Sequence, residues 1–426
     1  MVAMTDDCPA GRATPPGGPD GSSVDALDIL RVPRPPGPDP REAFTEDEIR
    51  RCTDYAKPRQ RWGLVALAVR LGLLVVLAAS PPGKRAVARV AELAGDTVAA
   101  RAGLVLTVVV LAEALVLLPF GLRAWRQDLR AGLSTQALGG YLGDWAKARA
   151  VGLILTVVPL GALILAAGAR PPGYPLSAAV VAALLVVALS LLGPVVLEPL
   201  FNRFTPLPAG TLRSRVLAMA KAMRVPVRDV LVADASRRTT KVNAYVSGLG
   251  RTRRVVVYDT LAERAGEDEV VLVLAHELAH VRHRDVTWGT TAGAVASGAA
   301  VLAADQLLAL PGLHDTFGVT GLGDPLAGAA LLLLAALAGV AAAPVASLVS
   351  RWSEARADWT ALEVARDPDT AVALERRLAL ENRADLRPSR LLVALFWSHP
   401  PTMARIAQAR LWAAAEPGGR EGVPGH

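Results

Sequence analysis

The sequence predicts a mainly α-helical membrane protein, a polytopic bundle of about six spans joined to a polar region that carries a small β-hairpin. Three observations favour this fold class. The chain of 426 residues is 52% hydrophobic, which is more than soluble domains usually contain. Its apolar residues fall in long blocks of Ala, Val and Leu instead of alternating with polar ones. Each block reaches the roughly 20 residues that a helix needs to cross a bilayer.

The apolar blocks and the polar stretches between them divide the chain into six parts. The predicted spans cover about residues 62–80, 102–122, 150–169, 176–197, 286–310 and 325–349. The parts are a disordered tail, a four-span membrane region, a polar segment, a two-span hairpin, a second polar segment and a flexible tail, with limits 1–45, 46–197, 198–285, 286–349, 350–415 and 416–426. Disorder is expected at the start because a stretch rich in Pro, Gly and Asp cannot bury enough apolar surface to fold.

The net charge of +7 follows the predicted membrane topology. Lys and Arg cluster beside the apolar blocks, and such clusters mark the cytoplasmic side of a membrane protein. Their balance places the N-terminus and both polar segments in the cytoplasm. The loop between the first two spans is an exception, since it contains Lys84, Arg85, Arg89 and Arg101. Because the basic residues are explained by topology, no nucleic-acid partner is expected.

The stretch "LVLAHELAHVRHRD" contains a His-Glu-x-x-His motif. His276 and His280 are four residues apart, so on a helix their positions differ by about 40° and both rings can bind one ion. Glu277 can then reach a water on that ion. The surrounding residues are acidic, then apolar, then basic, which is typical of a helix read from its N-terminus. The alternative is a chance match on a buried helix.

A catalytic zinc needs a third protein ligand, and the best candidate follows the sixth predicted span. Glu354 lies in "SRWSEARADWTAL", and two spans separate it from His280. A two-span hairpin returns the chain to the side it left, which brings Glu354 to the side of the histidines. Asp358, four residues on, is placed to orient a ligand imidazole, although an acidic pair on a solvated helix is the alternative. His283 is less suitable, because three ligands in line on one helix cannot close a tetrahedral site.

Six stretches occur in order along the chain: "LPFGLRAWRQDLRAGLS", "EPLFNRFTPLPAGTL", "SRRTTKVNAYVSGLGRTRRVVVYDTL", "HELAH", "SEARAD" and "SHPPTMARI". Through them the sequence resembles the type I CAAX prenyl endopeptidases, which are integral-membrane zinc metallopeptidases, and their bacterial relatives. The resemblance covers roughly residues 118–412. It implies zinc ligands at His276, His280 and Glu354, a catalytic glutamate at Glu277 and a proton-donating aspartate at Asp358.

The resemblance also implies roles for four residues that are neither zinc ligands nor the two acidic residues just named. It places His399 and Arg405 facing the site, where a His or Arg can stabilise a developing oxyanion. It places Asn243 and Ala244 on an edge strand along which substrate lies. The local pattern supports a hairpin there, since "NAYVS" and "RVVVY" flank Gly-Leu-Gly, and a free strand edge can pair with an extended peptide. For Asn243 taken alone, a turn residue is the alternative.

Two departures from the family pattern affect different parts of the site. The motif reads HELAH where the family often has HELGH, and a methyl group at Ala279 should be tolerated on a helix. Ala404 stands where the family often has an acidic residue, which puts the substrate contacts in doubt. The resemblance therefore supports the family's reaction in this protein more strongly than it supports the family's substrate.

Together these features predict a membrane-embedded zinc metalloendopeptidase with one Zn²⁺ per chain. Its partners would be a peptide or membrane-protein substrate and the lipid bilayer. Two alternatives remain open: a quality-control protease without CAAX specificity, and a membrane scaffold or transporter with a relic zinc motif. A composition rich in Ala, Val and Arg is typical of a GC-rich bacterium, so we expect the inner (cytoplasmic) membrane, with the active site on its cytoplasmic side.

Overall fold

Six long apolar helices form the membrane part of the structure, which confirms the predicted number of spans. The computed structural model describes residues 32–248 and 253–415. Each of the six helices overlaps one predicted span. They are α1 (Glu46–Ala79), α3 (Val98–Arg130), α4 (Leu138–Ala169), α5 (Leu176–Leu192), α10 (Asp285–Leu308) and α12 (Gly328–Ala365). A π-helical turn, Gly193–Leu197, continues α5 into the short helix α6, Glu198–Phe201.

Helix α12 is longer than a membrane crossing requires. Its 38 residues give a length of about 57 Å at a rise of 1.5 Å per residue, against an apolar bilayer core of about 30 Å. Its apolar half therefore serves as a span, and its C-terminal half extends into the polar region of the protein. Glu354 and Asp358 lie on this extension.

Polar side chains within or beside the spans pair with one another. Arg70 on α1 donates to Glu113 on α3 at 2.7 Å, and the hydroxyl of Tyr174, in the turn before α5, donates to buried Asp305 on α10 at 2.8 Å. Ionisable groups are costly against lipid, and they usually pair inside the bundle. These contacts therefore tie spans that are distant in sequence.

Shorter helices connect or flank the spans. They are α2 (Pro81–Glu92), α7 (Thr211–Ala222), α8 (Asp259–Arg264), α9 (Glu267–Arg282), α11 (Pro311–Phe317), α13 (Pro368–Glu381), α14 (Arg390–Phe396) and α15 (Thr402–Ala415). Lys84 on α2 donates to the carbonyls of Asp315 and Thr316 at the end of α11, at 3.1 and 3.0 Å. A cation at the C-terminal end of a helix is stabilising, which gives one of the basic residues in the exceptional loop a structural role.

A four-stranded mixed sheet packs beside α9. Its strands are β1 (Phe204–Pro206), β2 (Asp229–Ala233), β3 (Ala244–Ser247) and β4 (Arg254–Tyr258), in the order β1-β2-β4-β3. β3 and β4 pair antiparallel, which confirms the predicted hairpin, whose turn at residues 249–252 lies outside the described residues. Among the described strands β3 pairs only with β4, so it forms an edge of this sheet.

Apolar packing fixes α9 between the sheet and the extension of α12. Leu274 and Leu278 are fully buried in the core cluster that includes Val255 and Val257 of the central strand β4. Ala279, the alanine of the HELAH motif, is also fully buried. Its methyl group is therefore accommodated in the core, as the sequence predicts. Burial of this face leaves the histidines on the opposite face directed away from the core.

Residues 32–45, which we call the N-terminal strap, are packed against α12 and α15, so the prediction of disorder is wrong for them. Gln408 donates to the carbonyls of Pro33 and Ala355 at 3.0 and 2.9 Å, and Phe44 is buried. A side chain on Gly37 would come within 2.6 Å of Met403, so only glycine allows this close approach. Apolar and backbone contacts to α15 supply the burial that the strap cannot provide by itself. Residues 1–31 and 416–426 lie outside the described residues.

Candidate active site

The His-Glu-x-x-His motif lies on α9, as predicted. The helix begins after Gly266, whose amide donates to Glu269 at 3.0 Å, and its first turn is acidic. Both features stabilise the N-terminal end of a helix. The helix ends in a basic turn at Arg282. This register presents His276 and His280 on one face and leaves Glu277 beside them.

His276, His280 and Glu354 offer ligand atoms that all lie within 4.8 Å of one another. The two Nε2 atoms are 3.1 Å apart. Glu354 approaches His276 Nε2 with one carboxylate oxygen at 3.2 Å and His280 Nε2 with the other at 3.5 Å. The structure therefore brings together the three residues that the sequence and its resemblance to the peptidase family propose as ligands.

The three side chains fit a metal ion. Each imidazole uses Nδ1 for a hydrogen bond to a carboxylate, at 2.8 Å in both cases, so the Nε2 atoms are directed at the shared point. Oε2 of Glu354 is buried and has no hydrogen-bond partner among the described residues, and such an atom is costly unless a cation or donor satisfies it. Burial favours a neutral His276, but the neighbouring carboxylates of Asp358 and Glu354 raise its pKa to about 10. The site therefore favours positive charge.

Two carboxylates orient the imidazoles. Asp358 contacts Nδ1 of His276, as the sequence suggested for it. Asp285 contacts Nδ1 of His280, and the sequence reasoning missed it. Asp285 is also bonded to the buried guanidinium of Arg356. Its position five residues beyond the second histidine, at the start of α10, was the available signal.

The guanidinium of Arg405 is held by two carboxylates. Its Nε and one terminal nitrogen donate to Asp358 at 2.8 and 2.5 Å. The other terminal nitrogen lies 2.9 Å from Glu375. The carboxylates raise the pKa of Arg405 against the opposing effect of burial. Asp358 thus accepts bonds from both Arg405 and His276, an arrangement that favours an orienting role over proton donation.

His399 and Glu277 both line the cavity beside the proposed ligands. His399 lies before α15, with Nε2 3.4 Å from Glu354, and its side chain is 62% exposed. Glu277 lines the cavity in front of the ligands. Burial raises its pKa, although the two ligand histidines oppose the shift. A carboxylate with a raised pKa is suited to proton transfer near neutral pH.

A cavity of about 380 Å³ lies in front of the ligands. One wall is formed by Asn243 and Ala244 at the start of the edge strand β3, and another by Trp397 and His399. Its floor is apolar and includes Leu261, Leu272, Leu362, Leu374 and Leu378. A cavity of this kind, apolar with a few convergent polar groups, is typical of a binding site.

His283 faces away from the three ligands, as expected. Its Nε2 is 2.9 Å from the Thr360 hydroxyl. Burial and the nearby Arg356 lower its pKa to about 4. A neutral, half-buried histidine bonded to a threonine is typical of a structural residue.

Known proteins resemble the chain in both sequence and fold. Residues 206–413 match the profile of Peptidase family M48. The "Uncharacterized metalloprotease YhfN" of Bacillus subtilis is 30% identical over 218 residues, 51% of each protein, so the chain matches about half of its length. A "CAAX prenyl protease 1 homolog" of Arabidopsis thaliana is 29% identical over 294 residues, 68% of each. The crystal structure of S. mikatae Ste24p superimposes with a TM-score of 0.75 over 88% of this chain and 91% of its own, at 20% identity, and so shares the fold. Just under half of the chain, residues 206–413, is therefore similar to Peptidase family M48, and part of the chain is similar in sequence to CAAX prenyl proteases.

Proposed function

We propose that this protein is a membrane-embedded zinc metalloendopeptidase that hydrolyses peptide bonds in membrane-associated peptides or proteins. One observation carries the proposal: the ligand atoms of His276, His280 and Glu354 converge within 4.8 Å beside Glu277, in a cavity bordered by an edge strand. Two imidazoles and one carboxylate are a donor set found in catalytic zinc sites of peptidases, which leave a fourth position open. The match of residues 206–413 to Peptidase family M48 supports a peptide or protein substrate.

Each residue of the site has its own role in the proposed hydrolysis. When bound, zinc would supply Lewis-acid chemistry that activates water and polarises a carbonyl group. The Glu277 carboxylate would accept a proton from the attacking water and return it to the leaving amine. His399 is placed to donate a hydrogen bond to the substrate carbonyl oxygen as charge develops there. Asp358 and Arg405 would hold His276 in place.

The edge strand β3 is proposed to bind the substrate. Its outer side lacks a pairing strand among the described residues, and Asn243 and Ala244 border the cavity. An extended peptide could add to this edge through main-chain hydrogen bonds, which would place its backbone in front of the ligands. This arrangement accepts many sequences, because backbone pairing does not depend on side chains.

The protein is proposed to lie in a bacterial inner membrane with the site on the cytoplasmic side. Support comes from the basic clusters beside the spans and from the even number of spans, four, before α9.

Two kinds of substrate selectivity are possible for this protein. Matches to CAAX prenyl proteases favour a prenylated substrate, whereas a "Protease HtpX homolog" of Desulfatibacillum aliphaticivorans, 33% identical over 198 residues, favours a protease without CAAX specificity. A scaffold with a relic motif is disfavoured because Glu277 and all three ligands are in place.

The proposal can be tested with purified protein in lipid nanodiscs. Two internally quenched peptides of the same sequence would be used, one farnesylated at a C-terminal CAAX cysteine and one not. We expect Glu277→Gln to retain one zinc but to lose about 10²–10⁴-fold in cleavage rate, the contribution of a general base. Asp268→Asn, an exposed change on the same helix, is the matched control. Equal cleavage by wild type and Glu277→Gln, or no cleavage by zinc-loaded wild type, would contradict the proposal. The ratio of the cleavage rates for the farnesylated and the unmodified peptide distinguishes the two kinds of substrate.

A further inference from the structure

Helix α13 places a buried carboxyl group, Glu375, in the wall of the active-site cavity. Its neighbours along the helix face, Ala371, Leu374 and Leu378, are apolar and pack in the core. A carboxyl group on the apolar face of a helix is costly to bury unless it is paired. Among the described residues it forms an ion pair with Arg405, at 2.9 Å.

Charge neutrality alone does not account for Glu375. Arg405 carries one positive charge, and Asp358 already matches it with two hydrogen bonds. A second carboxylate leaves the trio with an excess negative charge in a buried place. What Glu375 adds is geometric, because it engages the terminal nitrogen that Asp358 does not.

The competing partners explain why this third contact matters. Glu277 and Glu354 are carboxylates of the same site, and a guanidinium free to turn could pair with either of them. With Asp358 on one edge and Glu375 on the other, Arg405 is fixed in a bidentate contact. Asp358 in turn holds Nδ1 of His276 at 2.8 Å, so the chain of contacts leads from α13 to the first metal ligand.

We propose that Glu375 is a positioning residue of the active site, which locks Arg405 onto Asp358 and thereby fixes the ring of His276. The inference rests on the proposed function, since the geometry it protects is that of the peptidase site. Arg405 is then a structural clamp whose orientation depends on α13, a helix that supplies none of the three metal ligands.

The ionisation of Glu375 gives the proposal a pH signature. Burial raises the pKa of Glu375 to about 7, although Arg405 acts in the opposite direction. The charged groups that face it are Arg405 on α15, Asp358 and Glu354 on α12, and His276 on α9. Below this pKa the carboxyl is neutral and its hold on Arg405 weakens, and above it the ion pair is complete. The contribution of Glu375 to the rate should therefore be present at pH 8 and should fade as the pH falls through 7.

The test compares Glu375→Gln with wild type in nanodiscs, on an internally quenched peptide that wild type cleaves and Glu277→Gln does not. We expect Glu375→Gln to lower kcat about tenfold at pH 8 with KM unchanged, and the ratio of wild-type to variant rates to approach one near pH 6. Zinc loss to a chromogenic chelator should be about threefold faster in the variant. Arg377→Gln, which breaks an ion pair between α13 and Glu269 on α9, is the matched control and should match wild type in all three measurements.

A double substitution shows whether Glu375 acts through Arg405. In an Arg405→Lys background, where the bidentate contact is already lost, adding Glu375→Gln should slow cleavage less than twofold further. A further tenfold loss there, or wild-type kcat and zinc release in Glu375→Gln, overturns the proposal. If Glu375→Gln melts early, Glu375→Asp replaces it, which keeps the charge and should show the same defects in weaker form. If wild type cleaves no peptide, the proposed function fails, and the zinc-release comparison still decides the role of Glu375.

Discussion

Replacement of Asp285 should weaken metal binding without removing a ligand. Asp285 holds Nδ1 of His280 at 2.8 Å and accepts a hydrogen bond from buried Arg356. Asp285→Asn keeps the shape of the side chain but removes its charge. The ring of His280 then keeps a hydrogen-bond acceptor at Nδ1 but loses the negative charge that raises the basicity of Nε2.

The expected magnitude follows from these contacts. Loss of a carboxylate that orients a ligand imidazole lowers metal affinity by about 10–100-fold, which equals about 1.4–2.8 kcal/mol. Asp285→Asn can still accept a hydrogen bond through its amide oxygen, so we expect about tenfold. Asp285→Ala removes the acceptor and leaves Arg356 unpaired, so about 100-fold is expected. Asp285 is also the first residue of α10, and loss of its charge from the first turn should lower helix stability by about 0.3–1 kcal/mol. This change in stability is separate from the change in zinc affinity.

Competition with a chromogenic zinc chelator, performed on protein in nanodiscs, separates these effects. The zinc Kd is measured for wild type and both Asp285 variants, and thermal melting without zinc reports the change in stability. Asp268→Asn is the control, because Asp268 is an exposed acidic residue paired with Arg215. Zinc affinity within twofold of wild type in Asp285→Asn would refute the claim that this carboxylate orients His280.

The remaining predictions address the third ligand, the topology and the N-terminal strap. Glu354→Ala should lose most of the bound zinc in metal analysis, whereas His283→Ala should keep it; the reverse result would move the third ligand to His283. In a cysteine-free variant, D315C should react with a membrane-impermeant thiol reagent on intact cells and D268C only after the membrane is opened, because one span, α10, separates the two positions. Labelling of D268C from outside would contradict a cytoplasmic site. Gln408→Ala should lower stability by about 1–3 kcal/mol, because it removes the hydrogen bonds that the buried Gln408 side chain donates to the carbonyls of Pro33 and Ala355. An unchanged melting temperature would argue against the strap as part of the fold.

The spans and the edge hairpin could be predicted from the sequence because each depends on a local pattern. An apolar block of about 20 residues is sufficient to define a crossing, and strand residues on either side of a glycine turn define a hairpin. The approach of Glu354 to the two histidines could also be predicted, although it is 74 residues from His280 (354 − 280). Counting membrane crossings predicts that Glu354 and the histidines lie on the same side, and a membrane restricts the possible arrangements more than a soluble core does.

The features that sequence reasoning missed depend on contacts between distant segments. The strap is polar and proline-rich, and its order comes from α15, which follows more than 350 residues later. Glu375 could have been noticed as an acid on an apolar helix face, but its partner is set by the packing of α13 against α15. Asp285 is close in sequence to His280, yet only the turn between α9 and α10 directs its carboxylate back to the ring.

The placement of Arg405 changes how the chemistry is divided among the candidate residues. Sequence reasoning left oxyanion stabilisation to either His399 or Arg405. In the structure, Arg405 contacts two carboxylates, and a guanidinium that turned to a substrate oxygen would leave a buried carboxylate without its partner, which costs several kcal/mol. His399 is exposed and close to Glu354, so it can donate to substrate without breaking a buried ion pair. We therefore propose that His399 stabilises the oxyanion and that Arg405 holds Asp358 and, through it, the orientation of His276.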